Sequence, residues 1–125
     1  MYTLARSGST YKLKVIYNFP STTAARHPFG ELSFDAHGNL FGAASGGNDK
    51  CPPGRNNSPC GTIYELSPAK KRPWKERDLF AFGYSSGGWT PNGGLVVNAS
   101  GDVFGTTQNS NVVVACCGVV FELEP

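Results

Sequence analysis

Two stretches of the chain carry nearly the same phrase, and this internal duplication constrains the fold more than any other feature. "GNLFGAASGG" begins at Gly38, and "GDVFGTTQNS" begins 63 residues later at Gly101. The same offset relates "YKLKVIYNF" to "WKERDLFAF", whereas "CGTIYELSP" and "CGVVFELEP" lie 57 residues apart, so the second copy has a shorter loop. A pattern that recurs at a fixed spacing predicts supersecondary units that stack on one another.

Each copy predicts short antiparallel strands separated by turns. In "DAHGN", the Asp35 side chain can accept hydrogen bonds from backbone N–H groups two and three residues on, and Gly38 can adopt the positive φ of the turn. The predicted strands of the first copy are 32–35, 40–43, 62–66 and 74–82, and those of the second are 95–98, 103–106 and 119–123. The second copy therefore lacks a fourth strand.

The predicted fold is all-β: one domain, 1–125, built of antiparallel four-stranded repeats like the blades of a β-propeller, two per chain. Residues 28–83 form repeat 1, residues 84–125 form repeat 2, and the end strands within 1–27 complete a blade, with 11–19 supplying the missing fourth strand. Two blades cannot close a ring, so three or four identical chains would be needed to give six or eight. The alternative is a single chain folded as a small β-sandwich or distorted barrel.

Composition limits the classes of partner. The chain has 16 Gly, 9 Pro and a net charge of only +2, and its few clustered lysines and arginines are typical of a solvated loop rather than a nucleic-acid surface. It has no apolar run of about 18 residues that would span a membrane. Its first residues lack the apolar centre of a signal peptide, which leaves a cytoplasmic protein, a lost export signal or a piece of a longer chain.

Four cysteines bear on the compartment. Cys51 and Cys60 bracket "PPGRNNSP", a loop with no core of its own, and a disulfide between them would stabilise the fold by about 2–3 kcal/mol. Cys116 and Cys117 are adjacent, so a bond between them would strain the peptide. An even number of cysteines in polar loops favours an oxidising compartment.

The two copies resemble GloVer repeats, which occur in tandem in bacterial proteins. The family phrase runs approximately Pro-x-x-Gly-Leu, then Asp-x-x-Gly-Asn-Leu-Tyr-Gly-Thr-Thr, then Gly-Thr-Val-Phe-x-Leu. Both copies match it along most of their length, with departures at Glu31 and at Asn98, which replaces the turn aspartate. The first copy matches at Pro28, Leu32, Asp35, Gly38, Asn39, Leu40, Phe41, Gly42, Gly61, Thr62, Ile63 and Tyr64, and the second at Pro91, Gly94, Leu95, Gly101, Asp102, Val103, Phe104, Gly105, Thr106, Thr107, Gly118, Val119, Val120 and Phe121.

The resemblance implies a propeller-like β fold and an exported, extracellular or periplasmic setting. It implies no catalytic residues. Family proteins carry more repeats than two, so the chain is also interpreted as a possible fragment of a longer repeat protein with no activity of its own.

The candidate catalytic residues are Glu31, Asp35 and His27, which lie near one another in sequence and could form a general acid/base pair at a loop rim. The turn around Asp35 could in principle hold Ca²⁺, but it offers one carboxylate, and hairpin chemistry explains it better. No cofactor and no metal site is therefore predicted. Glu65 and Glu122 occupy matching positions and are expected to be solvated.

The candidate ligand-binding residues are Trp89, Tyr84 and Arg26. Trp89 follows a glycine-rich stretch between the copies, with Tyr84 nearby in sequence, and an aromatic ring beside polar groups can stack on a sugar. Arg26 occupies the matching position of the first copy. The alternative is that Trp89 packs between the units.

The leading functional hypothesis is a non-enzymatic binding module that associates with itself and binds an exposed glycan. The alternative is a hydrolase acting on carbohydrate or ester substrates at a loop rim, and enzymatic activity is the less favoured of the two. Neither nucleic acid nor a membrane span is expected.

Overall fold

The computed structural model describes residues 1–21, 25–46, 60–69, 73–83, 86–110 and 117–125. The predicted all-β class is confirmed, since every extended element in these ranges is a β-strand and all strand pairs are antiparallel. The strands are β1 (Tyr2–Ser7), β2 (Thr10–Val15), β3 (Arg26–Phe34), β4 (Leu40–Gly46), β5 (Thr62–Ser67), β6 (Lys75–Ala81), β7 (Gly88–Pro91), β8 (Val96–Val97), β9 (Val103–Ser110) and β10 (Val120–Leu123).

These strands form three separate hydrogen-bonded layers. The N-terminal hairpin consists of β1 and β2. Sheet 1 has the order β3-β4-β5-β6, and sheet 2 has the order β10-β9-β7 with the short β8 also paired to β9. The connections between β1 and β2 and between β3 and β4, which the structure describes in full, are short turns, as the glycines Gly8 and Gly38 predict.

The same positions of the two copies are paired within sheet 1 and within sheet 2. In sheet 1, Gly42 of β4 faces Tyr64 of β5. In sheet 2, their counterparts Gly105 of β9 and Phe121 of β10 face each other in the same way. In both pairs the aromatic ring covers the glycine so closely that a Cβ there would collide with it. Four pairs of the β3·β4 ladder also recur 63 residues later, between β9 and either β7 or β8.

The N-terminal hairpin repeats the register of β5 and β6. Tyr2 faces Val15 in the hairpin as Tyr64 faces Asp78 in sheet 1. At the next position, Thr3 faces Lys14 as Glu65 faces Arg77. The expectation that 11–19 completes sheet 2 within the chain is not met, because β2 pairs with β1. Met1, Ile16 and Tyr17, which flank the hairpin, pack on the face of sheet 1 opposite sheet 2, while both hairpin strands are exposed.

Sheet 1 is the central layer and has an apolar cluster on each face. One cluster packs it against sheet 2 and contains Phe41, Ile63, Phe82, Leu95 and Val103, among others. The cluster on the opposite face contains Leu40, Tyr64 and Leu66, against which Met1, Tyr17 and Phe19 pack. This division follows from the alternation of side chains along β4 and β5. Each fully buried aliphatic or aromatic side chain stabilises the fold by about 1.5–3 kcal/mol.

Candidate functional site

A cleft of about 680 Å³ opens between sheet 1 and sheet 2. Its sheet 1 wall comes from β6 and the start of β4, and its sheet 2 wall comes from β10 and the residues after it. The cleft size is within the range of small-molecule and peptide sites. Apolar side chains line its floor, namely Phe41, Leu79, Phe80, Val103 and Leu123.

The rim of the cleft is strongly acidic. Among the described lining residues Arg77 is the one cationic side chain. A concave surface of one charge sign concentrates ligands of the opposite sign and repels those of the same sign. The carboxylates that line the cleft are Asp35, Glu65, Asp78, Glu122 and Glu124.

Glu65 is buried at the base of this rim, with 7% of its surface exposed, so the expectation that it is solvated is wrong. Arg77 explains the burial, since its Nε and Nη2 donate to Glu65 Oε2 at 3.0 and 2.5 Å. Ser67 donates to Oε1 at 2.7 Å. A buried carboxylate held by three donors is a structural group rather than an open ligand. Glu122, its equivalent on β10, is exposed.

Asp35 and Asp78 face the cleft in different electrostatic states. Burial raises the pKa of Asp78 above its ordinary 3.8. Burial also raises the pKa of Asp35, but the hydrogen bonds from Asn39 and His37 outweigh it, so the net pKa lies below 3.8. Carboxyl groups whose pKa values are pushed apart can divide acid and base roles when they share a site.

Both carboxylate oxygens of Asp35 accept hydrogen bonds from residues of the same turn. Oδ1 accepts the backbone N–H groups of His37 and Asn39 at 2.8 and 2.9 Å, two and four residues on. Oδ2 accepts the Asn39 side-chain amide at 2.7 Å. No group of three or more His, Cys, Asp or Glu side chains in the described ranges is placed to hold a metal ion.

The second turn has the same geometry with the two residue types exchanged. Asn98 Oδ1 accepts the backbone N–H groups of Ser100 and Asp102, each at 2.9 Å. Its amide donates to Asp102 Oδ2 at 2.7 Å. The turn thus requires one carboxylate and one amide, in either order, which is hairpin chemistry. A groove of about 230 Å³ runs between the two turns.

The three candidate catalytic residues are not brought together. His27 lies at one end of β3, where Arg26 faces Gly46, and Asp35 follows the other end, where Phe34 faces Leu40. The paired part of β4 spans six residue steps from Gly46 to Leu40, so at about 3.3 Å per residue the two side chains are roughly 20 Å apart. Glu31 lies between them on the exposed strand, close to Gly94.

His27 and its counterpart in the second copy, Thr90, share an uncommon backbone conformation. The φ of His27 is 55°, and Thr90, 63 residues on, has a φ of 60°. Each residue precedes a proline, and Thr90 donates its N–H to the carbonyl of Cys60 at 2.8 Å. Because both units carry this uncommon conformation, it belongs to the architecture rather than to one site.

Of the candidate sugar-binding residues, Trp89 and Arg26 do not line the cleft. Trp89 is half-buried and packs against the cluster between the sheets. Arg26 is half-buried opposite Gly46, and Tyr84 lies outside the described residues. Their role in stacking on a sugar stays a prediction. Cys60 is buried, but Cys51 is also outside the described residues, so their disulfide stays a prediction too.

A second polar cluster lies where the hairpin meets sheet 1. Tyr17 donates its hydroxyl to Glu76 Oε2 at 2.6 Å, while Glu76 Oε1 is buried without a hydrogen-bond partner. Burial, and then the hydrogen bond to Glu76, raise the pKa of Tyr17 to about 12. Burial also raises the pKa of Glu76, against the opposing effect of the Tyr17 hydroxyl.

Sequence reasoning singled out Asp35 but did not identify Arg77, Asp78 or Glu124 of the cleft rim. Asp78 and Arg77 lie on β6 and Glu124 follows β10, and only the three-dimensional arrangement brings the two strands to face each other. One signal was available: Glu65 and Glu122 occupy the same position of the two copies. A charge kept at matching positions of two strands predicts that the two glutamates occupy equivalent places in the two sheets.

Comparison of the chain with protein-family models, curated proteins and solved structures gives no match. The resemblance to GloVer repeats therefore stays a prediction.

No helix in the described ranges is long and apolar enough to cross a membrane.

Proposed function

We propose that this chain is a non-enzymatic binding module whose binding surface is the acidic cleft between its two sheets. The observation that carries the proposal is the combination of an apolar floor with a rim of carboxylates and the amide of Asn39. Such a surface suits a ligand with an apolar face and hydrogen-bond donors, because ionised carboxylates only accept hydrogen bonds. The excess of negative charge excludes anionic ligands.

Within this class, an uncharged or amine-bearing glycan fits the chemistry. Sugar hydroxyl groups donate to carboxylates, amine groups add ion pairs, and the apolar face of a sugar ring can cover Phe80 and Leu79. The ligand is thus assigned to the cleft rather than to Trp89, whose side chain packs inside.

Self-association is part of the same proposal. The two units are interpreted as propeller-like blades of the GloVer type, in a protein that works outside the cytoplasm. Each additional copy would add one more cleft, and several weak sites on one assembly bind a repeated ligand far more tightly than a single site does.

The test is calorimetric titration with three short oligosaccharides of equal length: amine-bearing, uncharged and uronic. We expect binding in the order amine-bearing, uncharged, uronic, with a loss of at least about fivefold in Asp78→Asn. Glu31→Gln is the matched control, because it also removes one carboxylate charge but lies outside the cleft lining. Equal binding of all three sugars, or loss of binding in Glu31→Gln alone, would overturn the assignment of the cleft.

Carbohydrate hydrolysis in the same cleft is a second candidate, and one observation favours it. Asp35 and Asp78 line the cleft with pKa values shifted in opposite directions. Against it, both oxygens of Asp35 are already engaged within its turn. The same oligosaccharides, incubated with the protein and examined by mass spectrometry, decide between binding and cleavage, and we expect them to stay intact.

A further inference from the structure

Sheet 2 lacks the strand that would correspond to β6 of sheet 1, and the outer edge of β10 is open within the described ranges. In sheet 1, β5 is covered by β6. In sheet 2, the equivalent strand β10 pairs with β9, and within the described ranges no strand pairs with its other edge. An open strand edge presents unpaired N–H and C=O groups, which another strand can pair with.

β2 is the strand that matches β6. The two strands lie 63 residues apart in the duplicated pattern. β2 pairs with β1 in the register that β6 uses with β5, so that Lys14 stands where Arg77 stands. β1 in turn matches both β5 and β10 in sequence: "MYTL", "IYEL" and "VFEL".

We propose that β10 of one chain pairs with β2 of a second copy of this chain, in the place that β1 takes in the isolated chain. This inference rests on the proposed function, because it assigns an occupant to one side of the same acidic cleft. The register of sheet 1 fixes the partners. Glu122 would face Lys14 of the second copy, as Glu65 faces Arg77 in sheet 1, and the other pairs are Phe121 with Val15, Leu123 with Leu13, and Glu124 with Lys12.

The side chains of β2 and two of the four on β10 are exposed in the isolated chain. All six residues of β2 are exposed, including Leu13 at 62% and Val15 at 51%. Val120 on β10 is 79% exposed. A two-stranded hairpin is at best marginally stable in water, whereas a sheet of three or more strands with an apolar face can be stable. On β10, β2 would extend a sheet that already has four strands. Because β1 offers only Thr3 and Ala5 opposite the two lysines, exchange gains two opposite-charge pairs.

The layer order favours a second copy over the chain's own β2. The residues that follow β2 are anchored on one face of sheet 1, where Tyr17 bonds to Glu76 and Phe19 packs edge-on against Tyr64. β10 lies on the opposite face, where Phe121 packs against Phe82. The residues that anchor β2 therefore lie on the side of sheet 1 opposite β10, and packed β-sheets are about 10 Å apart.

Zero-length carbodiimide cross-linking of the unaltered protein tests the register directly. Equal amounts of unlabelled and nitrogen-15-labelled chains are mixed after separate unfolding, refolded together, cross-linked and digested. We expect Lys14–Glu122 and Lys12–Glu124 peptides that join one labelled and one unlabelled segment. The absence of both cross-links, or their presence only between segments of the same isotope, would overturn the proposal.

Charge reversal tests the same pair in solution. At low ionic strength, Lys14→Glu alone and Glu122→Lys alone should each raise the apparent dissociation constant of the assembly at least about fivefold, because each places like charges opposite one another. The double variant Lys14→Glu with Glu122→Lys should recover the original association, since every contact then has opposite charges whatever the number of chains in the assembly. Lys75→Glu, on exposed β6 opposite Ser67, is the matched control and should change little.

Failure of this inference is distinguishable from failure of the proposed function. If the double variant stays dissociated, or Lys75→Glu has the same effect as Lys14→Glu, the strand exchange is wrong. The sugar titrations of the cleft are scored by a separate measurement, and their outcome does not change the cross-linking result.

Discussion

Glu65 on β5 and Arg77 on β6 stand directly opposite each other and form a two-donor ion pair, with 2.5 Å between Arg77 Nη2 and Glu65 Oε2. The glutamate is buried and the arginine is largely exposed, so the carboxylate is held inside the cleft wall by a guanidinium group at the surface. Removal of the arginine would leave a desolvated carboxylate with Ser67 as its remaining hydrogen-bond donor.

Arg77→Met should therefore lower the free energy of unfolding by about 1–2 kcal/mol, the cost of leaving a carboxylate with fewer donors, reduced by the solvent exposure of the arginine. Urea denaturation at a fixed protein concentration measures the change. Lys75→Met, also on β6, removes the same charge from an exposed position and should cost less than about 0.5 kcal/mol. Equal losses in both variants would show that the pair contributes nothing.

The glycine beneath each aromatic ring should not tolerate a methyl group. A Cβ on Gly105 would collide with the ring of Phe121 and the side chain of Leu95. Gly105→Ala should destabilise the protein by about 1–3 kcal/mol, the typical cost of overpacking. Gly83→Ala is the control, because nothing lies within 4 Å of a Cβ there. Equal thermal midpoints for the two variants would contradict this account of the strand pair.

The two turns should be interchangeable. Asp35→Ala removes three hydrogen bonds and should cost about 1–2 kcal/mol. The double exchange Asp35→Asn with Asn39→Asp reproduces the chemistry of Asn98 and Asp102, so it should cost less than about 0.5 kcal/mol. Denaturant midpoints of the single and double variants check this, and a double variant as unstable as Asp35→Ala would refute the equivalence.

Tyr64 should give the protein an alkaline transition. Burial, and then the charge of Glu76, raise its pKa from 10.0 to about 12. The unfolded chain loses this proton near pH 10, so the stability that neutral Tyr64 contributes is complete below pH 10 and is lost as pH rises through about 12. Tyr64→Phe should fold normally at pH 7, since Phe121 fills the equivalent position.

The measurement is the ultraviolet absorbance of tyrosinate, followed together with denaturation at each pH. Compared with the original protein, Tyr64→Phe should gain less absorbance near pH 12 and lose less stability between pH 10 and 12. An unchanged titration curve above pH 11 would mean that Tyr64 does not have a raised pKa.

The duplicated phrase predicted most strands because alternation and turn chemistry are local. It underestimated β3, which begins at Arg26 rather than near residue 32. β3 is an edge strand, where Pro28 is tolerated, and its ladder shifts register between Phe29 and Ser33. The segment around Trp89 was interpreted as a loop between the copies, but Gly88–Pro91 forms β7.

The candidate site was predicted less well because it depends on packing between distant elements. Asp35 was identified from its turn and does line the cleft. His27 was grouped with it by closeness in sequence, although an extended strand carries the two apart. Asp78 and Arg77 gave no local signal, since their place in the cleft follows from how sheet 2 packs on sheet 1.

Native mass spectrometry of the protein at micromolar concentration, without reductant, tests the central claim that this chain is an interaction module assembled from several copies. The account predicts a dominant species of three or four chains of 13.3 kDa each. A single species of 13.3 kDa at that concentration would contradict it.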